Sequence, residues 1–237
     1  MLDDSSLPIV NCVIAGTQKG GTTALGHFFS QHPEICTADM KEVHFFDNDS
    51  FFQNSFIDYS EYHRYFSGQG GVVVDNTPIY MFWPGAIQRI RNYNPDMKII
   101  LILRNPIERA YSHWNMELSR GQESLTFSEA IRGGARYQSG DYSSRIFSYV
   151  ERGFYFLQIQ NILKLFDKEQ LLCIKSEELK DNHKGVLKQC FKFLGVNQDV
   201  YIPEQAVFEG SYREEINSLD WSFLQKKYKS DIKSLEA

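Results

Sequence analysis

The chain has no apolar run approaching ~18 residues, which excludes a membrane-spanning helix. Its first residues, MLDDSSLP, carry no basic segment of the kind that opens a secretory signal. Cysteine is scarce: Cys12, Cys36, Cys173 and Cys190 show neither CxxC nor metal-ligand spacing. That pattern excludes a disulfide framework and a thiol redox motif, and no metal is expected. Buried, reduced thiols in a cytoplasmic protein are the expectation. An excess of base is also missing. Lys and Arg total 25 against 30 Asp and Glu, a net charge of −5, which argues against a nucleic-acid partner. Arg132, Arg136, Arg145 and Arg152 lie close in sequence and read equally as a local basic groove or as a solvated face. With no internal repeat, low-complexity tract or linker, residues 1–237 are expected to form one domain. A hydrophobic content of 42% and an aromatic content of 14% exclude a disordered chain.

The informative stretch is GTQKGGTTAL, residues 16–25. An apolar run over residues 9–15 enters it, and Leu25, Phe28 and Phe29 leave it at helical spacing, predicting strand, glycine-rich turn and helix. Glycine lets backbone approach a ligand, and a helix start offers free N–H groups and a positive dipole end. Lys19 adds a full charge beside Gly20 and Gly21, and Thr22 and Thr23 add hydroxyl donors. This is the composition of a phosphate cradle. A Walker A loop is not present, because the lysine precedes the glycine pair and Gly21 is followed by Thr22.

Downstream, KEVHFFD at residues 41–47 alternates, and if extended it sets Glu42, His44 and Phe46 on one side. A carboxylate and an imidazole would then stand together near the cradle, suited to removing a proton. Residues 51–71 read as short helix and loop bordering an acceptor. GVVVD, residues 71–75, predicts a strand, with Asp75 as either a Walker B carboxylate or a turn contact. A helix follows over 79–94, then the apolar strand 98–103 of the buried parallel type. Arg104 lies at the carboxyl end of that strand, where open α/β sheets bind ligands. Pro106 begins a helix with Tyr111, Trp114 and Leu118 as a buried stripe and Ser112 off it. Arg104 and Ser112 together would suit a phosphate dianion, whereas Arg104 alone reads equally as an ion pair with Glu108. Thr126 to Glu129 is a capping box. Residues 133–153 read as a mobile loop near the site. Helices carrying Phe156, Ile159, Leu163 and Phe166, then Leu187, Cys190, Phe191 and Leu194, flank a strand at 171–174. Gly195 caps the second of these, and a last helix turns Leu219, Phe223 and Leu224 inward. The alternation implies a three-layer α/β fold: a P-loop-NTPase-like parallel sheet flanked by helices.

Three segments, TQKGGTTAL, HPEI…KEVHFFD and ILRNPIERAYSHW, together resemble sulfotransferases that use 3′-phosphoadenosine-5′-phosphosulfate (PAPS). The resemblance is to bacterial members related to heparan sulfate N- and 3-O-sulfotransferase catalytic domains, and covers about residues 9–196. It implies the sulfotransferase fold and direct in-line sulfuryl transfer to a hydroxyl or amine of a carbohydrate, lipid or small metabolite. It further implies that Lys19, Gly20, Gly21, Thr22 and Thr23 hold the 5′-phosphosulfate and that Arg104 and Ser112 hold the 3′-phosphate. Glu42 corresponds to the proposed base, with His44 beside it. Two departures stand out. Asn76 occupies the place of a family lysine, and the C-terminal nucleotide-closing loop is replaced by FEGSYR, where Ser211 or Arg213 would substitute. The acidic net charge argues against a long polyanionic acceptor. A P-loop kinase using Mg-ATP and a non-catalytic nucleotide-binding module are the alternatives.

Overall fold

A computed structural model of the protein describes residues 8–54, 56–68, 71–133, 136–137, 139–203 and 215–236. Its strands are β1 (Cys12–Gly16), β2 (Ile35–Thr37), β3 (Val72–Asn76), β4 (Lys98–Leu103) and β5 (Leu171–Lys175). They form a parallel sheet in the order β2-β3-β1-β4-β5. The helices are α1 (Thr22–Phe29), α2 (Ser60–His63), α3 (Ala86–Tyr93), α4 (Pro106–Ser119) and α5 (Phe127–Arg132). They continue with α6 (Tyr142–Phe147), α7 (Tyr155–Leu163), α8 (Ser176–Asp181), α9 (His183–Leu194) and α10 (Ser218–Glu236).

Strand periodicity divides the core. Cys12 and Ile14 of β1, with Ile100 and Ile102 of β4, face a layer made by Leu25, Phe28 and Phe29 of α1 and Leu187, Cys190 and Phe191 of α9. Val13, Ala15, Ile99 and Leu101 face the opposite layer, which holds Ile87 and Ile90 of α3 and Ile159 and Ile162 of α7. The central strand is buried along its whole length because both faces are covered, which explains its unbroken apolar sequence. A third cluster joins Ile107 and Tyr111 of α4 to Phe127 and Ile131 of α5 and to Leu224 and Tyr228 of α10.

This strand order creates the place for a ligand. The chain leaves β1 toward β2 and leaves β4 toward β5, on opposite sides, so the loops after β1 and β4 diverge. A crevice opens between their carboxyl ends. Among the described residues, no helix is long and apolar enough to cross a membrane.

Several expectations change. The helix expected from residue 79 begins at Ala86, after Pro84, with Gly85 as a left-handed cap at φ 78°. Tyr80 and Trp83 instead lie in the core as part of a turn. Tyr62 and Phe66 are also core residues, and none of the described residues of 51–71 borders the cleft. Residues 133–153 contain α6, which does border the cleft. Leu118 is 41% exposed and Leu219 77% exposed, so each lies outside its expected stripe. Leu163 is also exposed, while Ile162 takes the inward place on α7. Cys173 is exposed on edge strand β5, whereas the other three thiols are buried. The four arginines do not make a free basic groove. Arg132 pairs with Asp220, Arg136 with Glu123 and Arg145 with Asp47, and Arg152 is buried. The Thr126–Glu129 capping box and the left-handed Gly195 cap are present as expected.

Helix α10 is seated by a close contact. A Cβ on Gly153 would lie 2.6 Å from the Tyr228 hydroxyl oxygen and 2.7 Å from its Cζ. Tyr228 cannot easily yield, because it is fully buried and donates to the Val150 carbonyl at 2.8 Å. Gly153→Ala is expected to cost about 1–3 kcal/mol through overpacking. Urea denaturation checks this, and an unchanged midpoint would mean that the contact is soft.

Candidate active site

The cradle is built against the end of β4. The Thr17 N–H donates to the Ile102 carbonyl at 3.1 Å, and the Gly20 N–H donates to the Thr17 carbonyl at 2.8 Å. A Cβ on Gly20 would stand 2.4 Å from the Ile102 oxygen, so glycine alone permits the approach. Gly20 therefore sits behind the cleft wall, while Lys19, Gly21, Thr22 and Thr23 line it. Gly21 caps α1 at φ 109°, with no side-chain cap and no acidic residue in the first turn. The helix start thus keeps its positive end toward the cleft. Lys19 Nζ lies 3.7 Å from Met116 Sδ, reaching across to α4.

Opposite the cradle, Asn105 caps α4 by accepting from the Ile107 N–H, and Pro106 takes the first helical position. Arg104 donates through Nε and Nη2 to Glu108 at 3.2 and 3.0 Å. One turn on, Ser112 lines the same wall. The ion pair that is one reading of Arg104 thus forms, and it forms on the cleft itself.

The third part is the segment before β3. Glu42 and His44 come together, with His44 Nε2 3.4 Å from Glu42 Oε2. Their meeting does not arise from extension. Both residues are left-handed, at φ 60° and 56°, and Val43, Phe45 and Phe46 all enter the core. Such backbone costs about 1–2 kcal/mol per residue outside glycine. Lys19, at φ 71°, shares it, and these three are the non-glycine residues with positive φ among those described. His44 Nδ1 lies 2.9 Å from Asp47 Oδ2, and Arg145 of α6 donates to the same oxygen and to the Asp47 carbonyl.

A family model described as a sulfotransferase domain matches residues 11–233. The chain belongs to the sulfotransferase family. It is 30% identical over 212 residues to heparan sulfate glucosamine 3-O-sulfotransferase 3A1 of Mus musculus, covering 84% of this chain and 49% of that one. The chain spans about half the length of the curated relatives it matches. Among solved structures, the sulfotransferase from Alicyclobacillus acidocaldarius is similar at a TM-score of 0.80 and 30% identity, covering 96% of this chain and 94% of that one. Mouse sulfotransferase SULT7A1, complexed with PAP, shares the fold at a TM-score of 0.50 and 16% identity, covering 93% and 64%.

The kinase reading loses its carboxylate. Asp75 of this sulfotransferase is fully buried and accepts from the hydroxyls of Tyr62, Thr77 and Tyr80, so it is not placed to hold a metal in the cleft. Asn76 donates to the Thr22 carbonyl at 2.8 Å and packs against Gly26, tying β3 to α1. Ser211 and Arg213 lie outside the described residues. The sequence alone assigns no role to Gln18 or Asp47 and offers Arg145 and Arg152 only as part of a basic groove or a solvated face. Buried Arg152 donates to Gln18 in the cradle, to Ser148 at 2.7 Å, and to the carbonyls of Ser144 and Arg145 on α6. The cradle and the arginine that holds Asp47 are therefore joined. No local signal links positions 98 and 134 residues apart, although Gln18 and Asp47 each belong to a motif already singled out.

Electrostatics separates the two candidate bases. Burial alone would lower the His44 pKa, but the Asp47 and Glu42 carboxylates outweigh it and raise it to about 9. Burial alone would raise Glu42, and His44, with Lys41 and Arg120 behind it, more than reverses this to hold the carboxyl below its usual range. Asp47 is lowered in the same balance by His44 and Arg145. At neutral pH the array is therefore carboxylate, imidazolium, carboxylate. By linkage, the raised His44 contributes stability that is complete below 6.5 and is lost as pH rises through about 9. The lowered carboxylates contribute stability above their ordinary range, lost as pH falls through their lowered values. The expectation is that wild type loses melting temperature between pH 7 and 9.5 more steeply than His44→Gln. Parallel curves would show that His44 does not carry the charge.

Proposed function

We propose that the protein transfers a sulfuryl group from PAPS to a hydroxyl or amine, with the residues above as its working groups. The observation that carries this is the convergence on one cleft of two anion-binding walls and one proton acceptor. An uncapped helix start with Lys19 suits the 5′-phosphosulfate. Arg104 and Ser112 on the second wall suit the 3′-phosphate, a group that ADP and ATP lack. In the transfer, the acceptor oxygen or nitrogen forms its bond to sulfur as the bond from sulfur to the phosphate oxygen breaks. The acceptor proton passes to the Glu42 carboxylate, and Lys19 stabilises the charge growing on the leaving phosphate. Imidazolium His44 holds Glu42 in place, and Asp47 and Arg145 hold His44.

The relatives named for heparan sulfate glucosamine 3-O-sulfation make a glycan hydroxyl the first acceptor to try. On the side of Glu42, however, the cations are paired. Lys41 stands 3.9 Å from Glu42, Arg120 donates to Glu117 at 3.1 Å, and Arg145 binds Asp47. We therefore favour an uncharged hydroxyl compound over a polyanion.

The test begins with thermal melting in 3′-phosphoadenosine-5′-phosphate (PAP) against ADP and ATP. A hundredfold excess over the dissociation constant should stabilise by about 2.7 kcal/mol, and with the 3′-phosphorylated nucleotide alone. Arg104→Ala is expected to remove that preference. Lys19→Ala should lower turnover by about 100- to 1000-fold. Glu42→Gln should lower kcat by about 100- to 10,000-fold while leaving PAP binding intact. With carboxylate Glu42 as base, turnover should be level from about pH 7 to 8. A rate climbing with pH through about 9 would instead make neutral His44 the base.

A further inference from the structure

Glu42 and His44 sit on backbone that resists its own conformation, so something must hold it. The amides that interleave with them are both tied inward. The Val43 N–H donates to Thr77 Oγ1 at 3.0 Å, and the Phe45 N–H donates to the Tyr80 hydroxyl at 3.2 Å. Each of those hydroxyls donates onward to one carboxylate. Thr77 Oγ1 reaches Asp75 Oδ1 at 2.6 Å, and Tyr80 reaches Asp75 Oδ2 at 2.8 Å. A hydroxyl that gives its proton to a carboxylate must accept through its lone pairs, so Asp75 also fixes the direction in which Thr77 and Tyr80 accept. All three side chains are fully buried at the end of β3, out of reach of the cleft.

We propose that Asp75, acting through the hydroxyls of Thr77 and Tyr80, is the positioning residue that holds the Glu42–His44 segment in its left-handed, proton-accepting geometry. This rests on the reading of Glu42 as the base. The carboxylate touches neither nucleotide nor acceptor. It sets the amides of Val43 and Phe45, one on either side of His44, and so fixes the backbone from which both side chains project. Tyr62 supplies an internal control. Its hydroxyl also donates to Asp75 Oδ2, at 2.8 Å, yet no hydrogen bond links it to the 42–46 backbone. A general loss of buried hydrogen bonding and a specific loss of positioning are therefore separable within one cluster.

The experiment compares Thr77→Val, Thr77→Ser, Tyr80→Phe and Tyr62→Phe in the whole chain. Thr77→Val keeps the shape and removes the relay to Val43, Tyr80→Phe removes the relay to Phe45, and Thr77→Ser keeps the hydroxyl. Thr77→Val and Tyr80→Phe are each expected to lower kcat about 10- to 100-fold, as misplacement of a reacting group does. The KM for PAPS should stay within about twofold, since the cradle is untouched. Thr77→Ser should retain wild-type kcat, and Tyr62→Phe should lose melting temperature but not kcat. A second readout needs no turnover: the titration of the His44 imidazole followed by NMR, assigned with His44→Gln. The charged groups facing that ring are Glu42, Asp47 and Arg145. In Thr77→Val the titration should fall from about 9 toward 6.5 as Glu42 and Asp47 lose their register. An unmoved titration with unmoved kcat in both Thr77→Val and Tyr80→Phe would overturn the proposal, as would an equal loss of kcat in Tyr62→Phe. Should PAP fail to stabilise wild type, the sulfuryl-transfer reading falls, and the His44 titration still decides whether Asp75 positions the segment.

Discussion

The approach of Gly20 to the Ile102 carbonyl sets where the rest of the cleft stands. Parallel strands β1 and β4 lie side by side, and the loop after β1 folds back over the end of β4. Thr17 bonds to the Ile102 carbonyl, and Gly20 passes over the same oxygen with no room for a side chain. That contact turns the chain sharply enough for α1 to begin at Thr22, and it throws Lys19 outward in a left-handed conformation. It also fixes the distance from the α1 start to Arg104, which follows Ile102 by two residues. The two walls of the cleft are thus spaced by backbone packing.

What could be read from the sequence follows from how local each signal is. The strands around Ile14 and Ile100 are legible because a buried parallel strand needs apolar side chains on both faces. The Thr126 capping box and the Gly195 cap are legible because their partners lie within four residues. The cradle is legible because its glycine, lysine and threonine residues fall within one turn of the chain. Glu42 and His44 are correctly paired for an incorrect reason. Alternation predicts extension, whereas two positive φ values bring the side chains together while turning both Phe45 and Phe46 into the core. Asp75 shows the opposite failure. A strand-end carboxylate looks the same in sequence whether it opens to a cleft or is enclosed, and the deciding donor Tyr62 comes from α2, thirteen residues upstream. Leu118 and Leu219 carry helical periodicity one step past the surface their helices bury.

The positive charge behind the cradle is organised differently from that in front. Lys19 and Arg104 line the cleft, but Arg152 is enclosed, and burial together with Arg109 and Arg145 pulls its pKa down to about 9. Two α6 carbonyls, a serine hydroxyl and Gln18 accept from it, replacing the water it has given up. His113 is held neutral by burial and by Arg152 and Arg109, so it does not add a further charge. A buried guanidinium feels little screening by salt, and its field therefore reaches the cradle more fully than an exposed lysine at equal distance.

Three ordinary side chains in left-handed backbone would together cost about 3–6 kcal/mol, a sizeable share of the stability of a domain. Such conformations persist only where the surroundings over-determine them. Here each has its own support. Lys19 is held by the loop closing on β4, and Glu42 and His44 by amides tied into the Asp75 cluster on either side. Phe45 and Phe46 add anchorage, since neither can leave the core for the segment to relax. The conformation also answers a chemical requirement. A regular strand would project residues 42 and 44 in parallel, two residue rises apart, about 7 Å. Left-handed turns at both positions close that gap to a contact, so an imidazolium stands directly against a carboxylate. The burial of Phe45 and Phe46 and the proximity of Glu42 to His44 are therefore two results of one backbone choice, and the hydroxyl relays from Asp75 are what make that choice affordable in folding terms.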